Sequence, residues 1–289
     1  MKKILIFGGN GMLGSELASY LVKKNEFKIY LTVRNLKSIR AYNFVKKCKI
    51  YHSIDVLNNF IVEKIIKKTK PDIILNCIGL IKQKFNIKNS KNIFLVNSLF
   101  PRYLSYLSKI YKYRLIHFST DCVFSGRIGN YTEQNFCDAD DYYGISKFLG
   151  EDVDEKNVII RTSIIGHELN SKKSFLNWFL NQKGSVRGYS KSIFSGFPTY
   201  ELAKIVYVYF IKNQKLKGLF HLSSNPISKY DLLLIIKKVY NKRIKIFKDK
   251  KVIVDRSMNS TKFRDLTKFK PRLWSDMIHD MYNFQNIKN

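Results

Sequence analysis

Short apolar runs alternate with longer amphipathic stretches through the first 165 residues of this 289-residue chain. That alternation predicts βαβ units and a parallel sheet. The strand candidates are Lys3–Phe7, Ile29–Val33, Lys49–His52, Asp72–Cys77, Arg114–Phe118 and Val158–Thr162. They are rich in Val, Ile and Leu without a polar alternation, as expected of strands covered on both faces. Helical periodicity falls at Met12–Lys24, Asn59–Lys68, Asn92–Tyr111 and Tyr142–Glu155. Right-handed crossovers between such strands place ligands at their carboxyl ends.

After about residue 165 the pattern loosens. It predicts helices at Ser174–Asn181, Thr199–Ile211, Ser228–Tyr240 and Trp274–Tyr282, with a short strand at Leu219–Leu222. The expected fold is α/β: a Rossmann-like doubly wound parallel sheet over residues 1–165. A smaller C-terminal lobe, built mainly from 166–289, is expected to bind substrate and to return some segments to the main sheet.

An apolar content of 45% with 14% aromatics suits a soluble globular protein. No apolar stretch approaches the ~18 residues needed to cross a bilayer. The opening Met1–Phe7 imitates a signal peptide but meets Gly8-Gly9-Asn10-Gly11 after four apolar residues, so a cytoplasmic location is expected. Cys48, Cys77, Cys122 and Cys137 form no CxxC pair, which argues against a disulfide scaffold or a zinc site. His52, His167, His221 and His279 have no ligand spacing either, so no metal is expected. The formal charge of +30 is spread over scattered doublets such as Lys23-Lys24 and Lys237-Lys238, with no basic tail. It therefore does not predict nucleic-acid binding, but a positive surface would draw in an anionic small molecule such as a sugar nucleotide. A homo-oligomer is compatible with this composition.

Gly8-Gly9-Asn10-Gly11-Met12-Leu13-Gly14 follows a predicted strand and opens a predicted helix, the context of a dinucleotide fingerprint. Gly8 would permit the tight turn, Gly11 close approach to a pyrophosphate, and Gly14 close helix–strand packing. An NAD site would place a carboxylate about 20 residues on. None stands between Glu26 and Asp55; the second strand instead ends at Arg34. A guanidinium suits a 2′-phosphate, so NADPH is the expected cofactor. Asp55 and Val56 lie where the adenine edge would be read, and Cys77, Ile78 and Gly79 where the dinucleotide needs room.

Tyr143 and Lys147, four residues apart, share one helix face and would both reach the cofactor. An ammonium ~4–6 Å from a phenol favours the phenolate and lowers its pKa by roughly 1–3 units. The tyrosine would then protonate an alkoxide as hydride arrives. Thr120 ends the fifth strand, where it could polarise a substrate carbonyl. Asp121 either contacts a sugar hydroxyl or caps the following loop. His117 is read as a packed core residue, Cys122 as an apolar filler, and Arg187 as a substrate contact or part of a solvated loop.

Five segments in order resemble the extended short-chain dehydrogenase/reductases, and within them the dTDP-4-dehydrorhamnose reductase group. They are Gly8–Gly14, His117–Phe124, Tyr143–Lys147 with Gly150-Glu151, Arg161-Thr162-Ser163, and Gly196-Phe197-Pro198-Thr199. The resemblance implies an NADP(H) domain and reduction of a nucleotide-linked 4-keto-6-deoxy-hexose in deoxysugar biosynthesis for surface polysaccharide. It implies Thr120, Tyr143 and Lys147 as the catalytic trio, with Asp121, Cys122, Ser163 and Arg256 at the substrate. Arg256 would hold the nucleotide diphosphate. Cys122 stands where the family commonly has Tyr, and Ile164 where it commonly has Trp, so the sugar can differ. The competing readings are a non-catalytic NADP-binding regulatory subunit and a nucleotide-sugar 4-epimerase.

Overall fold

A computed structural model describes residues 1–80, 90–169 and 174–288. Its strands are β1 Lys2–Phe7, β2 Phe27–Thr32, β3 Lys49–Tyr51, β4 Ile73–Asn76, β5 Arg114–Thr120 and β6 Val158–Thr162. They continue with β7 Ile164–Ile165, β8 Ser185–Phe194, β9 Phe197–Pro198, β10 Gly218–His221, β11 Ile227–Ser228 and β12 Lys245–Asp255. The helices in the first half are α1 Met12–Lys24, α2 Asn59–Thr69, α3 Ser90–Phe94, α4 Phe100–Tyr111 and α5 Tyr142–Leu149. Those in the second half are α6 Phe175–Asn181, α7 Thr199–Ile205, α8 Lys229–Val239, α9 Thr261–Thr267 and α10 Trp274–Lys288.

The main sheet has the order β10-β6-β5-β4-β1-β2-β3, and every neighbouring pair is parallel. The order reverses between β1 and β4, which opens a crevice at their carboxyl ends. Both faces are covered, as the unbroken apolar runs require. Ile4 and Ile6 face a cluster with Leu17 and Leu21 of α1, whereas Leu5 and Phe7 face Val62 and Ile66 of α2 and Leu104 of α4. β10 is the tail segment that returns, pairing with β6 from Gly218 to His221.

A second sheet, β11-β8-β12, lies outside this frame. β8 and β12 run parallel, with an irregularity between Asp249 and Ile253. Gly188 of β8 leaves room for Tyr230 of α8, because a Cβ there would press on the tyrosine backbone.

Three expected helices are interrupted. The span Asn92–Tyr111 contains a π-helical stretch at Leu95–Leu99, and Thr199–Ile211 turns π-helical from Val206 to Lys212. The helix expected to reach Glu155 stops at Leu149. At Gly150 the backbone passes so close to the Asn97 carbonyl that a Cβ would collide with it. Glu151 then leaves the helix to meet Arg161.

Candidate active site

β1 delivers the chain into Gly8, whose φ of +87° is the left-handed conformation that favours glycine. The Gly11 amide donates to the Gly8 carbonyl at 2.9 Å, closing the turn. A Cβ on Gly14 would strike that same carbonyl, so the third glycine permits α1 to sit against the end of β1. Gly11 caps α1 without any side-chain bond, which leaves the N–H groups of the first turn for an anion.

A groove of about 620 Å³ runs from this turn across the crevice. Of the expected cofactor residues, Gly8, Asn10, Gly11, Arg34, Asp55, Val56, Cys77, Ile78 and Gly79 line it. Met12 is half-buried at the start of α1, Leu13 lies in the core, and Gly14 packs on Gly8, so none of these forms its wall. Asn10 Nδ2 donates to Ser38 Oγ at 3.2 Å, which ties the loop after Arg34 to the glycine turn. The Asp55 carboxylate accepts the Leu57 amide at 3.0 Å.

α5 starts where Asp141 Oδ1 accepts the Gly144 amide at 2.9 Å. With no side chain at Gly144, the helix lies directly on the Cys122 carbonyl. This packing sets Tyr143 beside Thr120, whose hydroxyl works to lower the phenol's pKa. Thr120 Oγ1 also donates to Asp121 Oδ1 at 3.1 Å and accepts the Cys122 amide at 3.2 Å.

The expected lowering of the Tyr143 phenol by Lys147 is corrected by the structure. Lys147 is 3% exposed, and its Nζ donates to the Phe118 carbonyl at 2.7 Å, lying 3.5 Å from His117 Nε2. The ammonium is satisfied by β5, not by the phenol. Burial pushes the Tyr143 phenol above its ordinary value, with Cys122, Asp121 and Asp141 adding to the rise against the Thr120 hydrogen bond. Burial also pulls Lys147 down to about 8, opposed by the Glu151 carboxylate and the Cys77 thiol.

On the other side of Thr120, Asp121 is buried, and burial raises its pKa against hydrogen bonds from Ser163 and Thr120 and the field of Arg256. Arg256 Nε donates to the Phe124 carbonyl at 2.7 Å. Lys229, at the start of α8, lies in the field of Asp121, Cys122 and Arg256, and burial lowers its pKa. The structure thus gathers Asp121, Cys122, Ser163, Arg256 and Lys229 at one place. Arg187 is engaged elsewhere: it is largely exposed and pairs with Asp249 at 3.4 Å.

Sequence reasoning missed Lys229, whose only local signal is the Ser228 cap before it. It missed Asn97 as well. That side chain, in the π-helical stretch, accepts the Leu80 amide at 2.8 Å and donates to Ser146 Oγ at 3.0 Å. A polar pair, Asn97-Ser98, breaking the apolar run between Val96 and Leu99 was its signal. His117 is fully buried, as expected, but it sits in a polar file with Asn76 and Lys147. Beneath the site, Arg161 grips Glu151 through Nε and Nη2 at 2.6–3.1 Å. Among the described residues, no helix is long and apolar enough to cross a membrane.

Comparison with known proteins matches the chain over nearly its whole length. The family described as RmlD substrate binding domain matches residues 1–286. The spore coat polysaccharide biosynthesis protein SpsK of Bacillus subtilis is 28% identical over 235 residues, covering 78% of this chain and 75% of its own. A dTDP-4-dehydrorhamnose reductase of Aggregatibacter actinomycetemcomitans is 26% identical over 250 residues, covering 82% and 78%. A dTDP-4-dehydrorhamnose reductase of Bacillus anthracis, solved with NADP, shares the fold at a TM-score of 0.81 and 20% identity, over 98% of this chain and 99% of that one.

Proposed function

This chain belongs to the RmlD substrate binding domain family, and from that premise we propose that it is an NADPH-dependent reductase of a nucleotide-linked 4-keto-6-deoxy-hexose in deoxysugar biosynthesis. The observation that carries the reading is the Thr120–Tyr143 hydroxyl pair at the end of β5, in a chain whose glycine turn opens a groove at an uncapped helix; Tyr143 and Lys147 are not among the residues lining that groove. The residues fit the cofactor. The first-turn amides of α1 suit a pyrophosphate, Gly8 and Gly11 keep its path clear, and Arg34 suits a 2′-phosphate. NADPH, when bound, supplies the hydride.

The chain supplies the rest. Tyr143 Oη gives its proton to the ketone oxygen, and a phenol held above its ordinary pKa keeps that proton until charge builds on the substrate. Thr120 Oγ1 bonds the same oxygen once its proton turns from Asp121 to substrate. Lys147, four residues on along α5 and held on the Phe118 carbonyl, is the third member of the group. Arg256 and Lys229 suit the diphosphate, and Asp121 with Ser163 suits sugar hydroxyls. The second sheet and α8 then form most of the substrate lobe. A non-catalytic binder would have no use for the Thr120–Tyr143 pair.

The test is NADPH oxidation with dTDP-, UDP- and GDP-linked 4-keto-6-deoxy-hexoses. Turnover with one of them is expected, and Tyr143→Phe should lower kcat by roughly 10²–10⁴-fold while NADPH binding stays unchanged. No oxidation with any of the three, or a fully active Tyr143→Phe, overturns the reading.

A further inference from the structure

Below the groove, three buried polar side chains stand in file across β4, β5 and α5. Asn76 and His117 are 0% exposed and Lys147 is 3% exposed. Their bonding polarity is fixed from one end. The backbone N–H of Ile78 donates to Asn76 Oδ1 at 3.2 Å. A main-chain amide only donates, so the atom Asn76 turns toward His117 is its NH₂ group, with Nδ2 3.1 Å from Nδ1. An amide N–H meets a ring nitrogen favourably only if that nitrogen carries a lone pair. A neutral imidazole with a bare Nδ1 holds its proton on Nε2. The ring is neutral, because burial and the Lys147 charge push its pKa well below the ordinary value. Nε2 lies 3.5 Å from Lys147 Nζ.

We propose that His117 is a positioning residue for Lys147: fixed from β4 as the Nε2–H tautomer, it turns a donor toward the lysine nitrogen and so favours the amine over the ammonium. The inference rests on the reading of Lys147 as part of the catalytic group. A donor facing Nζ works with burial against the charge, and the Phe118 carbonyl, the Glu151 carboxylate and the Cys77 thiol work for it. Tyr143 shares the helix face. The balance leaves Lys147 titrating at about 8. Because the polarity originates at Ile78, the strand end that lines the cofactor groove also sets the protonation of the lysine beneath it.

The test uses the full-length chain without substrate. ¹⁵N-histidine spectra should show His117 as the Nε2–H tautomer, and the ¹³Cε signal of Lys147 should titrate near 8. In Asn76→Asp a carboxylate accepts from Nδ1–H, so the ring should switch tautomer and the Lys147 titration should rise by about one pH unit or more. His117→Leu removes the donor and the ring together, and its Lys147 titration should also rise. A wild-type Nδ1–H tautomer overturns the proposal, as does an unmoved tautomer in a folded Asn76→Asp. If that variant does not fold, the wild-type spectrum still decides. Absence of turnover with every ketosugar would sink the functional reading but leave these spectra unchanged, so the two failures are distinguishable.

Discussion

Lys147→Met should make the protein relatively less stable as the pH climbs from about 8 to 10.5. The wild-type ammonium is taken from its ordinary 10.5 to about 8 by near-complete burial, a displacement worth on the order of 3 kcal/mol. Below pH 8 the lysine is protonated whether the chain is folded or not, and the full burial cost weighs on the folded state. Between 8 and 10.5 the folded chain holds a neutral amine while the unfolded chain still binds a proton, so wild-type stability rises with pH. A thioether has no such dependence. At pH 7 the gain from removing the charge is reduced by about 1–3 kcal/mol for the Phe118 carbonyl left without its donor. The variant should therefore be more stable there by roughly 0–2 kcal/mol while losing turnover. Urea unfolding of both proteins at several pH values gives the difference directly, since ionisations common to both cancel. A stability difference that stays constant from pH 7 to 10.5 would refute the reasoning.

Two more expectations concern other parts of the molecule. Arg34→Ala should raise the KM for NADPH by roughly 10–100-fold, the worth of a charge-assisted hydrogen bond of about 1.5–3 kcal/mol, and leave that for NADH little changed. Steady-state kinetics with both cofactors decides it, and equal losses for the two would show that Arg34 does not read the 2′-phosphate. Glu151→Ala strands the Arg161 guanidinium, whose side chain is 4% exposed. Removing one partner of a buried pair costs about 3–5 kcal/mol, or roughly 6–10 °C in Tm for a chain of this size. A Tm unchanged in calorimetry would mean the pair contributes nothing.

The main sheet was legible because its strands are covered on both faces, so burial writes Val, Ile and Leu at consecutive positions. The run Val158–Thr162 is buried throughout and was bounded to the residue. The glycine turn was legible for a similar reason: short-range geometry at Gly8 and Gly14 admits no other residue cheaply. β12 was not legible, because Lys245–Lys251 reads as charged surface and pairs with β8 through backbone bonds that leave no apolar signature. Nor was the stop at Gly150 or the π-helical stretch at Leu95–Leu99, since each answers to its packing partner and not to its own sequence. The acceptor that holds Lys147 was not legible either. Helical spacing put it on the same face as Tyr143, but a flexible side chain follows its best acceptor. That acceptor is a carbonyl on β5, 29 residues away in sequence.

The same distinction bears on which sugar the enzyme takes. On the proposed reading Arg256 and Lys229 would offer charge to a diphosphate, and charge does not distinguish one nucleotide sugar from another. Discrimination must come from the groups beside Thr120, where shape matters. By the resemblance read from the sequence, Cys122 and Ile164 stand where Tyr and Trp are expected, and the backbone that carries them is held firmly. The Cys122 carbonyl packs on Gly144, and Ile164 pairs with Phe197 across β7 and β9. Smaller side chains on a fixed frame leave space that the frame does not close. On the proposed reading the Thr120–Tyr143 pair is untouched by the exchange, and an N-acetylated sugar turned over faster than the bare deoxyhexose is the outcome expected in the ketosugar screen; equal rates would show that these two positions do not select the sugar.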